Sequence, residues 1–164
     1  MDVPEEVLPI LRTASSADQD PWIRQQALLS LGMVLGRSHV AGRPVEDPEL
    51  TQHLIDLTAR ETGLFRHIAT YSLGFLAGEP AEARLLVLMS DADAKTRANA
   101  ASGLARNGSL AAVDLFAALL KEAGDQEFEP SRIAQENEAH AYFERVQLAT
   151  NALMFVKLQA ERLP

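Results

Sequence analysis

Residues 91–105, DADAKTRANAASGLA, read as a turn followed by a helix. Asp91 and Asp93 are residue types that accept hydrogen bonds from the free N–H groups of a first helical turn. From Ala94 onward no Gly or Pro interrupts the run until Gly103. The skeleton of this helix is Arg97, Ala100, Leu104 and then a small residue, Ala105. The same skeleton stands earlier as Arg24, Ala27, Leu31, Gly32 and again as Arg66, Ala69, Leu73, Gly74. Three copies of one pattern imply an internal repeat of helix pairs, in which each pair hides its apolar face against the next.

Composition agrees with that reading. The chain has 164 residues, of which 47% are hydrophobic, enough to build a core. Aromatics are only 5%, so Ala and Leu carry the packing, which favours closely spaced helices over sheets. The net charge of −8 argues against nucleic acid and anionic membrane as partners. The absence of cysteine excludes disulfides, thiolate metal sites and cysteine nucleophiles. The first residues, MDVPEEVLPI, carry acids where a signal peptide needs bases, and no run approaches membrane-span length. A cytoplasmic location is the expectation.

Taken along the chain, four pairs are expected at about 3–35, 48–77, 80–106 and 109–160, with insertions at 36–47 and 124–131. Pro9 should kink the first helix or delay its start. Asp20 followed by Pro21 is a helix start. The helix from Pro21 to about Leu35 is apolar over more than one face and should be covered on two sides. Gly36 is expected to end it, and GRSHVAGRPVED, residues 36–47, to form a loop dispensable for folding. Asp47-Pro48 restarts a helix, a second repeat helix runs from Leu64 to Ala77, and Pro80 opens the third pair. Asn107-Gly108-Ser109 stops one helix and caps the next. The arginine spacing is 42 residues from Arg24 to Arg66 and 31 from Arg66 to Arg97. The longer interval contains the first insertion. Residues 122–144 hold seven acids against one base, Arg132, and the last copy of the skeleton has Val146 in place of arginine.

The three clean copies resemble HEAT-like repeats, in particular the short type named after phycobilisome lyases, whose second helices carry an R-x2-A-x3-L-G core. The resemblance implies a right-handed α-solenoid of about four helix pairs. It also implies a structural ladder in which an Asp six residues before the Arg caps the turn and joins the Arg side chains. Asp18 with Arg24 and Asp91 with Arg97 keep that spacing; Arg66 belongs to the same column, but Arg60 occupies its Asp position, with Glu61 adjacent.

Candidate chemistry is sparse. Asp91-Ala92-Asp93 lacks the glycine and the closing glutamate of a calcium loop. Glu136, His140 and Glu144 share one helical face and form a weak metal candidate, but no second ligand pair stands ready. No nucleophile elbow, phosphate loop or dinucleotide fingerprint occurs, and no cofactor is implied. On the second helices, three columns lie one step round from the core: Gln25 with His67, Leu29 with Tyr71, and Met33 with Phe75 and Arg106. These residues either floor a concave groove or belong to the core between repeats. Trp22, at a helix start, reads as a packed end. The sequence therefore reads as a non-catalytic scaffold that binds a protein or peptide of basic character through this groove, with self-association as a further route. The alternative is a metal-dependent or lyase-like enzyme, or an accessory subunit.

Overall fold

Aspartate and proline decide where the helices begin. The computed structural model describes residues 6–117 together with 121, 150 and 157, and these are all-helical apart from turns and one isolated β-bridge. Helix α1 spans Val7–Ala14, α2 Pro21–Val40, α3 Pro48–Arg60, α4 Gly63–Leu73, α5 Glu79–Leu88 and α6 Ala94–Arg106. The Asp20 carboxylate accepts the Trp22 and Ile23 N–H groups, and Asp47 accepts that of Leu50, with proline next in the chain both times. Asp93 accepts the Thr96 N–H at 2.7 Å to cap α6. Pro9 falls in the first turn of α1, where a missing N–H costs nothing, so it delays the helix and does not bend it.

The chain divides into two compact units, Met1–Gly103 and Leu104–Pro164. In the first, α1 packs on α2 and α3, α2 on α4, α3 on α4 and α5, and α4 on α5. Next-but-one helices thus meet throughout α1 to α5, as do the consecutive pairs α1 with α2, α3 with α4 and α4 with α5. The first unit's core is Leu28, Leu31 and Leu35 from α2, Leu50 and Leu54 from α3, Leu73 from α4 and Leu85 from α5. Each such leucine contributes about 1.5–3 kcal/mol by leaving water. Within their own units the repeated alanines Ala27, Ala69 and Ala100, and the repeated leucines Leu31, Leu73 and Leu104, are all buried. In the second unit, Gly108 at φ 80° turns the chain after α6, and the Ser109 N–H donates back to the Leu104 carbonyl. A 3-10 turn, Leu110–Ala112, follows and residues 113–117 are helical, with Ala112 and Phe116 buried. The insertion at 124–131 and all but three positions of 118–160 lie outside the described residues.

Two expected boundaries move. Helix α2 does not stop at Gly36 but runs to Val40, and the glycine that ends it is Gly42, at φ 70°. Gly36 serves a different purpose: a Cβ there would lie 3.3 Å from the tip of the Phe75 ring. Nor is the remainder of 36–47 a free loop. Ser38 is buried and donates to the Arg43 carbonyl, and Val45 forms a parallel bridge with Leu76. The second repeat helix ends at Leu73 and not at Ala77, because residues 74–76 turn into that bridge.

Candidate functional site

Two arginines of the column reach a carboxylate on the turn inside the helix pair that follows their own. Arg24 donates to Glu61 at 2.6 Å, and its guanidinium lies 4.5 Å from the Phe65 ring centroid. Arg66 donates to Asp91 at 3.0 Å and, through Nε, to the Thr58 carbonyl at 2.9 Å. Each cation of one pair thus takes the acid on the turn of the next. Glu61 supplies the carboxylate that Arg60, at the expected aspartate position, does not. Asp18 does not pair with Arg24; its carboxylate accepts from Gln19. Arg97 donates to the carbonyls of Asp91 and Ala92 on its own turn. Of these arginines, Arg24 is buried and Arg66 half-buried.

Thr58 was not singled out in the sequence, yet it joins three helices. It is fully buried, its hydroxyl donates to the Ile55 carbonyl and accepts from Arg84 Nε at 2.9 Å, and its carbonyl takes Arg66. A threonine on α3 carries no such signal, because its partners lie 8 and 26 residues away.

Two histidines are paired. His53 Nε2 lies 2.7 Å from Ser15 Oγ, which itself donates to the Arg12 carbonyl. The Ser15 hydroxyl therefore accepts from the ring, which fixes the Nε2–H tautomer. Burial first, and then the Arg12 guanidinium, hold the His53 pKa below its ordinary value. Ser15 is fully buried, so this pair ties α1 to α3 and offers no accessible nucleophile. His67 Nε2 lies 2.7 Å from Asp93 Oδ1. The Asp93 pKa is lowered by the Thr96 backbone N–H first and by His67 after it.

The groove candidates separate into surface and interior. Leu29, Met33 and Tyr71 are 40%, 58% and 43% exposed, and Gln25 and His67 are half-buried beside them. Phe75 and Arg106 are buried and do not line a surface. Helices α2 and α4 approach closely at Gly32 and Gly36. A Cβ on Gly32 would meet Ser72 Oγ at 3.1 Å and the Tyr71 ring at 3.4 Å. The Tyr71 and Phe75 rings then meet edge to face at 4.9 Å, and Phe75 meets His39 at 5.9 Å. Phe75 thus packs between Gly36, His39 and the Tyr71 ring. The G-x3-G spacing of Gly32 and Gly36 is the sequence signal for this approach. Tyr71 is thus at the surface and Phe75 in the interior.

Among the described residues, no three His, Asp or Glu side chains come together to hold a metal, and no helix is long and apolar enough to cross a membrane. The metal candidate Glu136, His140 and Glu144 lies outside the described residues, as does the acidic segment 122–144. Compared with known proteins, the chain matches no family model, no curated protein and no solved structure.

Proposed function

We propose that the chain is a non-catalytic, cytoplasmic interaction scaffold, a right-handed α-solenoid of HEAT-like helix pairs that offers its second-helix face to a protein. The next-but-one packing of α1 to α5 and the Arg24–Glu61 and Arg66–Asp91 ion pairs support the stacked-array reading. One observation carries the binding reading: Leu29, Met33 and Tyr71 stand exposed on α2 and α4, which approach closely at Gly32. Exposed large apolar groups on a rigid support are the usual centres of protein binding. Charge takes a smaller part at this face. Its polar members, Gln25 and His67, are not acids, and the case for a basic partner rests on residues 122–144.

The test is capture of partners from the source cell by the intact chain, compared with a Leu29→Ala/Tyr71→Ala variant. With helical circular dichroism unchanged, binding should weaken by ~2 kcal/mol or more. Undiminished capture by a folded variant would place the partner on another face.

A further inference from the structure

We infer that Asn107 is a site of chemical modification, where the side-chain amide is lost by attack of the Gly108 peptide nitrogen, and that the turn closing α6 sets the rate. The chain has asparagine at positions 99, 107, 137 and 151, and only Asn107 is followed by glycine. Glycine has no Cβ, so it leaves the attacking nitrogen unshielded and the backbone free to rotate toward the amide. Asn107 and Gly108 are both exposed. Asn99 is the contrast. It lies inside α6, Ala100 follows it, and its amide donates to the His67 carbonyl at 3.0 Å.

The reaction needs only water. The Gly108 nitrogen gives its proton to solvent base and attacks Asn107 Cγ. The new N–C bond closes a cyclic imide, and the side-chain nitrogen takes up a proton and leaves as ammonia. Water then opens the ring. Addition at the side-chain carbonyl breaks the new bond and yields aspartate. Addition at the main-chain carbonyl breaks the original peptide bond and yields isoaspartate, with the chain continuing through the former side chain.

Folding holds back the first step. The Gly108 N–H donates to the Ala105 carbonyl at 3.0 Å, and the Ser109 N–H donates to that of Leu104 at 2.9 Å. These are the paired bonds by which a positive-φ glycine ends a helix. While they hold, the Gly108 proton is engaged. A helix end in water frays readily, so the reaction proceeds through the open turn. The product then acts on the fold. Either acid sets a carboxylate at the negative end of the α6 dipole. Isoaspartate also adds a methylene to the backbone, which puts both bonds out of register.

Incubation of the intact chain at mildly alkaline pH tests this, with peptide mass spectrometry and carboxyl methylation of isoaspartate as the readouts. Asn107 should convert first, ahead of Asn99, Asn137 and Asn151, and should give both aspartate and isoaspartate. Unfolding in guanidinium should speed the loss at Asn107 by about tenfold or more, since every turn is then open. Ser109→Pro is the second measurement. Ser109 sits at φ −74°, an angle that proline holds, so the variant removes the N–H donor to Leu104 and keeps φ. With helical circular dichroism unchanged, it should bring the folded rate most of the way to the rate in guanidinium. If the variant does not fold, the folded and unfolded wild-type rates still decide. Conversion of another asparagine ahead of Asn107 overturns the site. Equal rates in the folded and unfolded wild type, or a folded Ser109→Pro no faster than wild type, overturn control by the turn.

Discussion

The first two junctions between helix pairs use one arginine each and hold by different means. At the first, Arg24 makes a single ion pair with Glu61 and lies over the Phe65 ring, while Gly32 and Gly36 admit Tyr71 and Phe75. At the second, Arg66 spends two donors on Asp91 and Thr58, His67 pairs with Asp93, and the Asn99 amide donates to the His67 carbonyl at 3.0 Å. Its close approach is backbone to backbone: a Cβ on Gly103 would stand 2.7 Å from the Gly74 Cα. The first junction is an aromatic wedge and the second a hydrogen-bonded seam. The repeated arginine is thus a position that each junction completes with whatever lies nearby.

The largest test of that contrast removes the wedge. Phe75→Ala should destabilise the chain by about 3–5 kcal/mol in urea unfolding; a loss under about 1 kcal/mol would return Phe75 to the surface. Next, Arg66→Ala should cost about 3 kcal/mol, because it strands a mostly buried Asp91. Arg66→Lys should keep most of that loss, since an ammonium cannot reach Asp91 and the Thr58 carbonyl at once, whereas Arg24→Lys should recover much of the Arg24→Ala loss. Equal behaviour of the two lysine variants would erase the distinction between the junctions. Arg97→Ala, which removes bonds to two turn carbonyls, should cost only about 1 kcal/mol. Third, Gly103→Ala should cost about 1–3 kcal/mol, because backbone must shift, and Gly36→Ala less, since a ring edge can yield. Thermal melts of the two variants give the order directly.

The smallest effect is pH-dependent. The His53 pKa is lowered in the folded chain from 6.5, so between the two values the unfolded chain binds more protons. Stability is full above pH ~6.5, declines as pH falls below it and levels off once folded His53 is itself protonated. His53→Gln should flatten the slope in that window. Asp93, whose pKa is lowered from 3.8, contributes stability that is present above pH ~3.8 and lost as pH falls through its folded value. The two slopes are therefore separable in one titration of melting temperature.

Much of the frame was legible because the signals are local. Asp-Pro starts, the positive-φ glycine after α6, and the Ala and Leu columns each act within a turn or two of their own position. The errors share a cause. Gly36 and Gly42 are alike as sequence, and what separates them is Phe75, nearly 40 residues downstream. Asp18 and Glu61 are both turn acids; only the tertiary contact shows that Arg24 reaches forward to Glu61.

The sequence alone determined that the described residues are helical and that the repeated alanines and leucines are interior, because helix periodicity and capping are properties of short stretches. Tertiary structure alone decided which carboxylate Arg24 and Arg66 take, that Thr58 links α3, α4 and α5, and that Phe75 is core while Tyr71 is surface. Those outcomes depend on distances between residues far apart in the chain. Burial is settled by what packs against a side chain, and no local pattern specifies that.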